Sequence, residues 1–192
     1  MTNIQTEKSS TDEPSTEQWS QELTAETAED MHALGVQLGK LLVSGDVLIL
    51  TGPLGAGKTT LTQGIGEGLG VRSGIISPTF VLARVHPSER TDASDAPALI
   101  HVDAYRLNSA EELTDLDIDS QLESGVVVVE WGRGKAEQLS DSYLDIELVR
   151  PEVELDATVE GEILSFEDDA AEPARAVSIR AVGPAWATRR LG

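Results

Sequence analysis

The most constraining stretch of this chain is a four-residue apolar run at 47–50 that leads through Thr51 into Gly52-Pro-Leu-Gly-Ala-Gly-Lys58-Thr59. An unbroken apolar run of that length reads as a strand buried on both faces. The residues after it satisfy G-x-x-x-x-G-K-[ST]. In that pattern the glycines let the backbone curl, so that its N–H groups and the N-terminus of the following helix surround phosphate oxygens. Lys58 then reaches the β- and γ-phosphates of a nucleotide, and the Thr59 hydroxyl ligates Mg2+. A glycine-rich turn that binds nothing is the alternative, but the buried strand before and the helix after are the context a phosphate loop needs.

The remaining pattern describes one α/β domain with an antiparallel pair within it. Residues 1–18 hold almost no apolar side chains and are expected to form a disordered acidic tail, leaving 19–192 as the domain. Thr27 and Asp30 have capping-box spacing, and Met31, Leu34, Leu38, Leu41 and Leu42 recur at helical spacing to about Val43, with Gly45 ending the helix. Residues 80–85 and 98–102 read as strands flanking a polar loop at 86–97, and Ser109 with Glu112 caps a short helix around EELTDLDI. A second buried strand is expected at 126–129 and half-buried strands at 143–149 and 175–181. The stretch 152–172 joins the last two as an acidic loop.

Charge narrows the partners. In 192 residues, 14 Lys and Arg stand against 34 Asp and Glu, a formal net charge of −20. Sequence-independent grip on DNA or RNA and polybasic membrane anchoring both need clustered cations, so neither is expected as a whole-surface property. The acidity is segregated: residues 1–30 carry −7, residues 152–172 carry −9, and the rest only −4. There is no Cys, which excludes disulfides, thiolate metal sites and cysteine nucleophiles. The apolar runs are too short for a spanning helix, and no hydrophobic signal region opens the chain, so a cytoplasmic protein is expected.

A phosphate loop needs a second metal anchor, usually a carboxylate at the C-terminal end of a neighbouring buried strand. Glu130 ends the run at 126–129 and Asp103 ends that at 98–102, each either a ligand or an acid marking the turn to solvent. Ser77 and Thr79, about twenty residues beyond Lys58, occupy the region where switch proteins sense the γ-phosphate; an ordinary Ser-Pro turn explains them as well. His101 alternates with Ile100 and Val102, which favours a satisfied, half-buried imidazole over a catalytic base. Trp131 fits either the core or a partner surface beside the site. His32 and His86 have no ligand partner in sequence.

Taken together, GPLGAGKTTLTQGIGEGLGV, SPTFVLARVH, HVDAYRL and VVVVEWGRG, in this order and spacing, resemble the TsaE (YjeE) family, the small ATPase of bacterial tRNA threonylcarbamoyladenosine synthesis. The resemblance runs from about Thr27 to Trp186. It implies a P-loop NTPase-like single domain, a mixed β-sheet flanked by helices, binding ATP and Mg2+. It also implies that Gly55, Ala56, Gly57, Lys58, Thr59 and Thr60 form the phosphate loop and that Thr59 and Glu130 are the metal ligands. Asp103 takes a role in metal binding or hydrolysis, Ser77 to Thr79 form a switch-like segment, and Trp131 follows the metal-binding acid. Arg175 matches a late arginine near the base and ribose. Ala104 stands where the family often has a larger aliphatic. The family's partners are TsaB- and TsaD-like proteins, through which it acts on tRNA indirectly, so slow hydrolysis alone and faster turnover with partners are expected.

Two rival enzymes are weighed against this. A small-molecule kinase closes an arginine-bearing lid over the transferred phosphate, and the loop at 86–97 offers only Arg90. A GTPase reads guanine with N-K-x-D, whereas neither Asn3 nor Asn108 is followed by Lys. A third alternative is a nucleotide-gated scaffold that assembles a complex without needing hydrolysis.

Overall fold

The computed structural model describes residues 16–90, 96–150 and 173–192. Seven strands form one sheet: β1 (Glu17–Ala25), β2 (Val47–Thr51), β3 (Ala83–His86), β4 (Ala98–Asp103), β5 (Gly125–Glu130), β6 (Tyr143–Val149) and β7 (Arg175–Val182), in the order β1-β7-β6-β2-β5-β4-β3. The central four, β6, β2, β5 and β4, run parallel, and both flanks are antiparallel. This is the mixed sheet of a P-loop-type α/β fold. The expected single antiparallel pair is therefore one of two antiparallel flanks.

Each face of the sheet carries its own core. On one, helices α1 (Ala28–Leu41) and α2 (Lys58–Leu69) bury Leu34, Leu38, Leu61 and Ile65 against Leu48, Leu50, Val126 and Val128. On the other, the short helices α3 (Ala110–Thr114) and α4 (Asp119–Leu122) lie in the segment that buries Leu113 and Ile118 against Val47, Ile49, Val127 and Val129. Successive side chains of a strand alternate between faces, so the apolar runs 47–50 of β2 and 126–129 of β5 serve both cores. Among the described residues, no helix is long and apolar enough to cross a membrane.

Local signals set most elements. Thr27 caps α1, its hydroxyl accepting from the Asp30 N–H while the Asp30 carboxylate accepts from the Thr27 N–H. The helix stops at Leu41, two residues short of expectation, because Leu42 turns extended. Strand β3 starts at Ala83 instead of residue 80: the N–H groups of Val81 and Leu82 both donate to the Pro78 carbonyl, and Leu82 takes φ 65°, which makes a turn of that stretch. Of the helix expected around EELTDLDI only the first half forms, in α3; residues 115 and 116 turn, Asp117 holds φ 53°, and α4 begins after Ile118. Ser109 caps α3 as expected, but Glu112 returns its bond to the Asn108 N–H, one residue before the cap.

Strand β1 was not expected. It includes Glu17 and Gln18, placed by the sequence reading in a disordered tail, and it pairs with β7, far away along the chain. The remainder of that tail and the acidic stretch 152–172 lie outside the described residues.

Candidate functional site

At the C-terminal end of the parallel strands the segment 52–57 bends from β2 into α2. Gly55 and Gly57 hold φ 77° and 103°, conformations that cost a side-chain-bearing residue energy and glycine little. Gly57 is the N-cap of α2 and offers no side chain to its N–H groups, which leaves them to other acceptors. A cavity of about 610 Å3 lies beside this turn, within the range of small-ligand sites. Gly55, Gly57, Lys58, Thr59 and Thr60 line it from the loop and α2; Ser77, Thr79, Asp103, Glu130, Trp131 and Arg175 line it from elsewhere. Ala56 alone among the sequence candidates is off the wall, buried in the core beneath.

Lys58 donates from Nζ to the carbonyls of Gly52 (2.7 Å) and Pro53 (2.9 Å) and stands 3.7 Å above the Trp131 ring. Burial pushes its ammonium below the ordinary lysine value, while the carboxylates of Glu130 and Asp103 act in the opposite direction. Trp131 turns its ring into the cavity, 5.1 Å from Tyr105, so its visible role is inside the site. Its backbone is left-handed at φ 61°, a strained state for a non-glycine residue of the kind that collects at functional sites.

Two carboxylates face this loop from adjacent strands, Asp103 and Glu130 being register partners at the ends of β4 and β5. The Thr59 hydroxyl donates to Glu130, 3.0 Å from Oε1 and 3.2 Å from Oε2. Ser77 and Thr79 both donate to Asp103 Oδ2, at 2.7 and 2.6 Å, and the Tyr105 N–H donates to Oδ1 at 3.0 Å. Burial pushes the Asp103 carboxyl up, but the Thr79 and Ser77 hydroxyls, then the Tyr105 N–H and the nearby His101, outweigh it and hold the group below the ordinary carboxylate value. Arg175, buried at the start of β7, lies beside Gly57 on the cavity wall.

The structure corrects one reading: His101 is fully buried instead of half-buried, and it is bonded through Nε2 to Glu130 Oε1 at 2.8 Å. Ala28, Met31, Leu54 and Tyr105 also line the cavity without having been singled out. Tyr105 sits inside a motif noticed for Asp103; nothing in sequence spacing brings the start of α1 here. Arg90, weighed as a lid arginine, lies against Gly70 at the C-cap of α2, about 18 Å along that helix from Lys58, which removes it from the cavity end.

A hydroxyl and a carboxylate are hard oxygen donors of the sort Mg2+ accepts, usually with one or two protein ligands and the rest from phosphate and water. Among the described residues no cluster of three or more His, Asp or Glu offers an all-protein metal cage.

Comparisons with known proteins place the chain in a family. The family model described as "Threonylcarbamoyl adenosine biosynthesis protein TsaE" matches residues 25–157, a span that contains the whole site except Arg175. The "tRNA threonylcarbamoyladenosine biosynthesis protein TsaE" of Streptomyces coelicolor is 48% identical over 159 residues, covering 82% of this chain and 95% of that protein. Its Mycobacterium tuberculosis counterpart is 52% identical over 133 residues, 66% of this chain and 77% of the relative. Among solved structures, the crystal structure of Bacillus subtilis YdiB superposes with a TM-score of 0.57 at 28% identity, over 86% of this chain and 87% of that one.

Proposed function

This chain belongs to the TsaE family of threonylcarbamoyl adenosine biosynthesis proteins, and from that premise we propose that it is the Mg2+-dependent, ATP-binding and ATP-hydrolysing subunit of that pathway. It acts on tRNA indirectly, in the cytoplasm, through a complex with TsaB- and TsaD-like proteins. The observation that carries the reading is the convergence in one cavity of Lys58, the uncapped start of α2 and the bonded pair Thr59–Glu130.

Each residue has a task that follows from its surroundings. The N–H groups after Gly57 and the Lys58 ammonium supply donors and positive charge to phosphate oxygens. Lys58 is held meanwhile by two loop carbonyls, bonds that a charged phosphate oxygen replaces with stronger ones. Thr59 and Glu130 would hold Mg2+, which when bound neutralises charge on the β- and γ-phosphates. Asp103 stays ionised under three hydrogen bonds, which suits it to orient a water or the metal's hydration shell more than to store a proton. Ser77 and Thr79 tie the 76–82 segment to that same acid, so a change at Asp103 is felt in the switch-like segment. Arg175, which lines the cavity beside Gly57, is the residue we assign to the base and ribose.

Two variants test the reading. Lys58→Ala should weaken ATP binding by at least tenfold, about 1.4 kcal/mol, in a protein that folds normally; wild-type affinity would remove the phosphate loop from the account. Glu130→Gln should leave assembly with TsaB- and TsaD-like proteins intact while stopping ATP turnover and repeated tRNA modification. Continued modification by that variant would favour a nucleotide-gated scaffold. Rapid hydrolysis by the isolated chain, unchanged by partners, would contradict partner stimulation.

A further inference from the structure

We infer that His101 is a positioning residue that fixes the Glu130 carboxylate for Mg2+, an inference that rests on the proposed nucleotide site. On β4, His101 precedes Asp103 by two residues and pairs in register with Val128, so it faces the same side as Glu130, one step deeper in the sheet. Its side chain is wholly shielded from solvent, and its Nε2 lies 2.8 Å from Glu130 Oε1. A carboxylate only accepts, so the proton in this bond is carried on Nε2.

Among the described residues, the donors to the Glu130 carboxylate are Thr59 and His101. The Thr59 hydroxyl has one proton spread over both oxygens at 3.0 and 3.2 Å, which restrains rotation of the group poorly. The Thr59 oxygen is itself assigned to the metal, so of the two donors the imidazole is the one with no ligand of its own to serve, and it is the fixed point. It engages Oε1 and leaves Oε2 without a bond from the ring. The other ring nitrogen, Nδ1, is buried with no hydrogen bond among the described residues. An apolar side chain of similar volume would fill the place without stranding that atom, so packing alone does not account for a histidine here. The bond to Glu130 does. Outer partners of metal ligands act in this way, and their loss typically costs ten- to a hundredfold in metal affinity.

The test follows binding of a fluorescent ADP analogue, N-methylanthraniloyl-ADP, across a Mg2+ titration, for wild type, His101→Leu and His101→Gln. Gln keeps an N–H donor at nearly the reach of Nε2. In His101→Leu, binding in EDTA should match wild type while the Mg2+ midpoint rises about ten- to a hundredfold, and His101→Gln should recover most of that loss. A merely structural role would instead lower binding equally with and without Mg2+. A folded His101→Leu with the wild-type Mg2+ midpoint overturns the inference alone; a wild type indifferent to Mg2+ overturns the proposed function and the inference with it. A second measurement needs no His101 variant: long-range 15N–1H correlations of the wild-type imidazole should show a slowly exchanging Nε2 proton that shifts in Glu130→Ala. The same ring signals in both proteins would also overturn the inference.

Discussion

A carboxylate at the end of a buried strand stays ionised only if donors replace the water it has lost, and Asp103 is given three. Because hydrogen bonds hold its folded pKa below the ordinary 3.8, it contributes stability that is complete above that value and is lost as pH falls through the depressed one. Thr79→Val removes the shortest of those bonds, 2.6 Å, so the Asp103 titration should move up toward the ordinary value. The variant should be about 1 to 2 kcal/mol less stable than wild type at neutral pH, with the difference narrowing in acid. Carbon-13 titration of the carboxyl and denaturant unfolding at several pH values measure both; an unmoved midpoint would mean that Thr79 does not govern this acid. At this scale, Lys58 and Thr59 were legible because their motif is contiguous. The bond from His101 to Glu130 was not, since it depends on which strands lie side by side and in which register.

What brings Lys58 and Thr59 to the cavity is the seating of α2, and that seating depends on missing side chains. Gly35 faces Gly64 and Gly39 faces Gly68, with a built Cβ on either α1 glycine falling 2.9 Å from the facing Cα of α2. Backbones approach so closely only where no Cβ intervenes. A Cβ on Gly64 would overlap the His32 carbonyl oxygen, a backbone atom that cannot swing away. Gly64→Ala should therefore destabilise the fold by about 1 to 3 kcal/mol, although alanine favours a helix by about 1 kcal/mol over glycine. Equal or greater stability on chemical denaturation would mean that the helices can separate without cost. The glycines recur four apart in both helices, a spacing visible in the sequence, but only the crossing of the two helices gives it meaning. The caps at Thr27 and Ser109 were readable because both partners lie within one turn; β1, with Gln21 breaking its apolar alternation, was not.

Across the whole molecule, the two ends of the described chain are tied to the start of the central strand. Trp19 on β1 donates from Nε1 to the carbonyls of Trp186 and Arg189, and Arg189 grips Asp46 with two bonds while lying over the Trp186 ring. Arg189→Ala leaves the buried Asp46 with the Val43 N–H as its remaining donor among the described residues. It should cost about 2 to 3 kcal/mol, below the range for a fully buried pair because Arg189 is partly exposed. ATP affinity of the folded variant should not change, since Asp46 is at the end of β2 away from Gly52; a loss of affinity would show the two ends of the strand to be coupled. Charge is the other property of the whole chain. With 16 of its 20 net negative charges in residues 1–30 and 152–172, the isolated chain should not bind tRNA even at about 50 mM salt, as fluorescence anisotropy would measure. Tight, salt-sensitive binding would make it an RNA-contacting subunit. By itself the sequence determined the glycine turn into α2, the buried strands around it, the caps and the identity of both strand-end acids, because these are written in residues that are neighbours or one turn apart. The tertiary structure alone decided the flanking β1–β7–β6 layer, the glycine seam between α1 and α2, and the His101–Glu130–Thr59 chain, because each depends on strand order and register, which bring together residues that no local pattern relates.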